Sequence, residues 1–131
     1  MRDPRTAPPR IGIALERVAP VRPGAWRIGW RVRGDPRDAV AIVEAWHPHG
    51  SFRCSRRRPA LRIPPRRSGI LELPARCDAP GGSTIENAFL ILRVSSRGSR
   101  WRYVVRLRVR VGSDGTPRPA VLAVDAFPAR R

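Results

Sequence analysis

For much of this chain, apolar and polar residues alternate with a period of two. From Ala25 to Arg33, Trp26, Ile28, Trp30 and Val32 share one parity, while Arg27, Gly29, Arg31 and Arg33 share the other. Successive side chains of a strand point to opposite faces, so this run buries one face and wets the other. A helix of the same sequence would carry its arginines into the core. Arg100 to Val111 repeats the pattern, with Trp101, Tyr103, Val105, Leu107, Val109 and Val111 opposed to Arg100, Arg102, Arg106, Arg108 and Arg110. Such a strand would be about 40 Å long, well beyond the usual length, so a bend or bulge near Val104 and Val105 is expected. Ser113-Asp114-Gly115-Thr116 supplies turn residues tolerant of positive φ, and Ala120 to Phe127 follows as a hairpin partner.

Prolines punctuate the rest into short runs rich in Val, Ile, Trp and Phe. Strands are predicted over Ile11–Val18, Ala39–Trp46, Ser51–Cys54, Leu61–Ile63 and Ile70–Cys77, the last confined by Pro74 to an edge or a bulge. Ser83-Thr84-Ile85-Glu86 has the form of a helical capping box. The apolar run behind it is short and ends at Arg93-Val94 before Ser95-Ser96-Arg97-Gly98, which fits a central strand better. The expected core comprises Trp26, Ile28, Trp30, Val32, Val43, Trp46, Phe52, Leu71, Leu73, Phe89, Ile91, Trp101, Tyr103, Val105, Leu107 and Val109.

Seven to nine short strands and no convincing helix predict an all-β chain, an immunoglobulin-like β-sandwich of antiparallel strands. Trp26-Arg27-Ile28-Gly29-Trp30-Arg31-Val32-Arg33, a turn, and then Ala41-Ile42-Val43-Glu44-Ala45-Trp46 resembles the early strands of bacterial immunoglobulin-like sandwiches, the accessory modules related to cell adhesion among them. The resemblance is one of strand pattern over residues 10–127, and it implies a binding or interaction module. True immunoglobulin domains place a Trp between two bridged cysteines; none lies between Cys54 and Cys77, so the disulfide is not carried over.

At 131 residues the chain has room for one domain. The expected organisation is a flexible N-terminal arm over 1–9, the domain over 10–127 and a C-terminal tail over 128–131. No apolar h-region follows Met1-Arg2, and the longest apolar runs, such as Ala39–Val43 and Ala88–Leu92, are five residues. A membrane helix needs about 20. A cytoplasmic location without membrane insertion is the expectation, with Cys54 and Cys77 as free buried thiols.

Charge changes the picture more than composition does. All 27 basic residues are Arg, and with 10 acidic residues the net charge is +17. GC-rich coding accounts for Arg in place of Lys, but not for an excess of this size. Such a charge attracts polyanions. Its clearest concentration is the stripe Arg100, Arg102, Arg106, Arg108 and Arg110, whose side chains would stand about 6.7 Å apart, near the phosphate spacing of an extended single strand. The aromatics of that strand, Trp101 and Tyr103, lie on the other face. That favours a solvated face or an acidic partner over base stacking, with weak, non-specific polyanion association at low salt. Arg53, Arg56, Arg57, Arg58, Arg62, Arg66 and Arg67 read as a second cluster, in exposed loops.

Catalytic patterns are missing: there is no G-x-S-x-G elbow, no phosphate loop and no carboxylate pair. No catalytic residue is assigned, no cofactor is expected, and a protein is the expected partner. One further chemistry is open to test. His47 and His49, two apart on an extended segment, together with Cys54 and Cys77, form an N₂S₂ set suited to zinc if tertiary structure brings them together.

Overall fold

β-branched and aromatic runs bounded by Pro, Gly and Ser turns settle into nine strands. The computed structural model describes residues 7–129. Its strands are β1 (Gly12–Arg22), β2 (Ala25–Arg33), β3 (Val40–Pro48), β4 (Phe52–Arg57), β5 (Leu61–Ile63), β6 (Ser68–Cys77), β7 (Thr84–Ser96), β8 (Ser99–Val111) and β9 (Pro117–Pro128). Among the described residues there is no helix, and so none long and apolar enough to cross a membrane. Residues 1–6 of the expected arm and 130–131 of the expected tail lie outside the described residues.

Hydrogen bonding links all nine strands into one antiparallel sheet, ordered β1-β2-β6-β4-β3-β7-β8-β9, with β5 added on β3. Where two separate sheets were expected, this single sheet curls into a half-barrel and brings β1 close to β9. Its weakest join is β4 to β6, where only Phe52–Cys77 and Arg53–Arg76 pair. Turn chemistry fits the ladder. Arg97 and Gly98, both at positive φ, form the two-residue turn between β7 and β8, the geometry that matches the right-handed twist of a hairpin.

The curl encloses a core in which Trp30, Ile28, Phe52, Leu71, Leu73, Leu90, Leu92 and Leu107 are fully buried. Trp101 and Tyr103 join them, while Trp26 is half-buried at the margin. Burial of this apolar surface is the main favourable term in the fold.

Two strands bury the parity opposite to expectation. On β7 the inward residues are Ala88, Leu90, Leu92 and Val94, leaving Phe89 and Ile91 half-buried on the outside. An extra residue at Glu86–Asn87 shifts the β7–β8 register, and Asn87 takes φ 55° there. On β3, Val43 is the extra residue between Ile42 and Glu44, so Ala45 and His47 turn inward and Val43 and Trp46 do not. β8 itself alternates without a break. The irregularity expected at Val104–Val105 is carried by its neighbours, at Glu86–Asn87 on β7 and at Leu122 on β9, opposite Arg106–Leu107.

Asp35 stands in the turn after β2, its side chain buried. Its carboxylate accepts from the backbone N–H of Arg10 (2.7 Å), Arg37 (2.7 Å) and Asp38 (3.2 Å). Burial alone would raise its pKa, but these three donors, helped by Arg97, hold it below the usual carboxylate value. The Tyr103 hydroxyl donates to the Pro9 carbonyl beside it, and burial, with the Asp35 charge behind it, pushes the Tyr103 pKa up.

Candidate polyanion-binding face

β8 presents Arg100, Arg102, Arg106, Arg108 and Arg110 to the outside, back to back with its buried Trp101, Tyr103, Val105, Leu107 and Val109. Cross-strand partners extend this face sideways in rows. Arg93, Arg102 and Phe127 lie level across β7, β8 and β9, as do Phe89, Arg106 and Ala123. A third row runs Trp46, Ile91, Val104 and Asp125 from β3 to β9. Arg102 lies over the Phe127 ring at 5.9 Å, and Arg56 over Trp46 at 4.4 Å. Phe127 is 45% exposed.

The aromatics expected to be missing from the arginine face are therefore present, contributed by neighbouring strands. The alternation within β8 carries no sign of them. Phe127 stands level with Arg102 only because of the extra residue at Leu122, and Phe89 faces outward only because of the irregularity at Glu86–Asn87.

Carboxylates are unevenly shared. On β1, β2 and β6, Glu72 pairs with Arg17 (3.0 Å) and Arg27 (3.8 Å), and Glu16 with Arg31 (2.7 Å). Glu44 takes Arg93 (3.4 Å) and Asp38 takes Arg97 (3.3 Å). Of the five β8 arginines only Arg108 has a carboxylate, Glu86 at 2.7 Å; Arg100, Arg102, Arg106 and Arg110 have none among the described residues. Unpaired guanidiniums on one exposed face repel one another, and an incoming polyanion relieves that repulsion.

The second basic cluster is exposed, but only partly in loops: Arg53, Arg56 and Arg57 belong to β4 and Arg62 to β5. Arg66 and Arg67 are tied to the turn after β2 through Arg66 N–H to Asp35 O (3.1 Å) and Gly34 N–H to Arg67 O (2.8 Å).

The four residues considered for zinc are used otherwise. His47 is buried, its Nδ1–H donating to the Phe89 carbonyl (2.9 Å) and its Nε2 accepting from Trp30 Nε1–H at 3.4 Å. Burial lowers its pKa to about 4, against a smaller opposing effect of the Phe89 carbonyl, so the ring is neutral with both nitrogens engaged. His49 Nδ1 accepts from the Ser51 N–H at 2.9 Å. Cys54 faces His47 across the β3–β4 ladder and donates its thiol to the Ser55 carbonyl; Cys77 faces Phe52 on the next pair of strands. Burial pushes both thiols up, and both are free. No group of three or more His, Cys, Asp or Glu among the described residues is placed to hold a metal ion.

Comparison with known proteins adds no relative: no family model, curated protein or solved structure matches the chain.

Proposed function

We propose that this protein is a non-enzymatic binding module that takes a polyanion, single-stranded nucleic acid by its chemistry, on the outer face of β7, β8 and β9. The observation that carries the reading is the set of β8 arginines without carboxylates, two of which, Arg102 and Arg106, stand level with Phe127 and Phe89. Arginines provide the sequence-independent phosphate attraction, and half-exposed aromatics provide platforms on which bases stack. An immunoglobulin-like arrangement belongs to the same proposal. Its support is the order of neighbours: β1-β2-β6 on one side of the weak β4–β6 join and β4-β3-β7-β8 on the other, like the A-B-E and C-F-G ladders of such sandwiches.

The test is equilibrium binding of a fluorescent single-stranded oligonucleotide between about 50 and 200 mM salt. Affinity is expected to fall steeply, with a log–log slope of about 0.7 per phosphate neutralised. Replacing Arg102, Arg106 and Arg108 by Ser is expected to flatten that slope by about two and to leave the thermal midpoint at about 200 mM salt nearly unchanged. A flat salt response, or a slope untouched by the triple substitution, overturns the reading. Tighter binding of a polyaspartate than of the oligonucleotide would reassign the face to an acidic protein.

A further inference from the structure

The β4–β6 ladder stops after two pairs, and its end has a chemical cause. Continuing the register would set Cys54 opposite Ala75 and Ser55 opposite Pro74. Pro74 has no N–H to donate, so the ladder cannot extend along this edge as it does between β2 and β6. The strands part, and a cavity of about 500 Å³ opens between them, within the range of small-molecule sites. Trp26, Ala25, Ala75 and Pro74 give it apolar walls, and Val21, 50% exposed, forms a lip.

Its polar lining is one-sided. Arg22, Arg53, Arg57 and Arg76 reach it, and no Asp or Glu does among the described residues. Arg53 is already held by Asp78 (2.9 Å) and the Gly50 carbonyl (2.7 Å). Arg22, Arg57 and Arg76 have no carboxylate partner among the described residues. Trp26 adds a second, independent observation. Its Nε1–H is cut off from solvent and has no hydrogen-bond partner, an unsatisfied buried donor that is costly to keep in a fold. Cationic and N–H donors around an apolar wall are complementary to an acceptor-only anion on an apolar body. We propose that this cleft is a binding site for a small monoanionic amphiphile, a carboxylate on an alkyl or aryl body, whose oxygens accept from Arg57 or Arg76 and, on a small shift of the wall that uncovers it, from Trp26 Nε1, while the body lies against Ala25, Ala75 and Pro74. The Cys54 thiol, kept neutral by burial against the pull of Arg57, adds a polarisable wall rather than a charge.

Isothermal titration calorimetry on the full chain tests this with sodium decanoate, 1-decanol and decyltrimethylammonium, the two ions below their micellar concentrations and the alcohol below its solubility limit. The salt is set at about 150 mM, where diffuse attraction is screened. Decanoate is expected to bind one per chain, with the alcohol about tenfold weaker and the cation not at all. Trp26→Phe, which keeps the aromatic wall and removes the N–H, is expected to weaken decanoate about tenfold, as is the pair Arg57→Gln and Arg76→Gln. The two arginine changes are on the surface, so they decide the matter even if Trp26→Phe disturbs the cleft. Replacing Arg102, Arg106 and Arg108 by Ser is expected to leave decanoate binding unchanged, which separates this site from the polyanion face. Equal binding of acid and alcohol, binding indifferent to both the Trp26 and the arginine changes, or no binding of decanoate overturns the proposal.

Discussion

Burial of His47 ties the stability of the barrel to pH in a window separate from that of the carboxylates. Unfolded, its imidazole takes a proton near 6.5; folded, only near about 4, because burial opposes the charge. Between those values the unfolded chain holds the extra proton, so stability falls as pH drops, by about 3 kcal/mol across the window. Urea unfolding at pH 7 and pH 4.5 is expected to show most of this loss. His47→Leu is expected to lower stability at pH 7, since the Trp30 N–H and the Phe89 carbonyl lose their partner, and to flatten the dependence between the two pH values. A slope that survives His47→Leu would assign the effect elsewhere. Trp30, fully buried and bonded to the same ring, is expected to cost about 3–5 kcal/mol when cut to Ala, and Trp101 a similar amount. Half-buried Trp26 is expected to cost less, and denaturant midpoints rank the three.

At the scale of elements, register irregularities decide what each face shows. Asn87, the single asparagine of the chain, sits in the β7 irregularity at φ 55°, a conformation that asparagine and glycine tolerate and β-branched residues resist. Asn87→Gly is expected to leave stability within about 0.5 kcal/mol, whereas Asn87→Val is expected to cost about 1–2 kcal/mol. Equal effects of the two in thermal denaturation would show that the φ value is not what the site requires. The same irregularity explains which strands were legible. β8 alternates strictly and β2 does so apart from buried Ala25 and Gly29 and half-buried Trp26, so their bounds and most of their buried faces follow from the residues alone. Ala88–Leu92 is apolar on both parities and carries no record of which side faces in; the extra residue before it makes that choice. On β3 the extra Val43 has the same effect, sending Trp46 out and His47 in. The arginine half of the candidate face was legible for the reason that β8 was. Its aromatic half was not, because Phe89 and Phe127 reach it through register with other strands.

For the whole molecule, two electrostatic effects of opposite sign respond to salt. The ion pairs formed by Glu16, Glu72, Asp78 and Glu86 are solvent-exposed, and each such pair contributes about 0–1 kcal/mol that salt weakens. Against them stands a net charge of +17 folded into a small curled sheet, whose mutual repulsion salt also weakens. Four of the five β8 arginines stay uncompensated within the reach of one Debye length at low salt, and repulsion among many charges outweighs a few exposed pairs. The fold is therefore expected to become more stable on addition of sodium chloride from about 20 to 200 mM, by a few degrees in Tm, each kcal/mol shifting a domain of this size by several degrees. Replacing Arg102, Arg106 and Arg108 by Ser removes part of the repulsion and is expected to shrink that gain by raising Tm at the low-salt end. A Tm that falls with added salt would mean that the ion pairs dominate, and the excess charge on β8 would then carry little of the strain that an incoming polyanion is proposed to relieve.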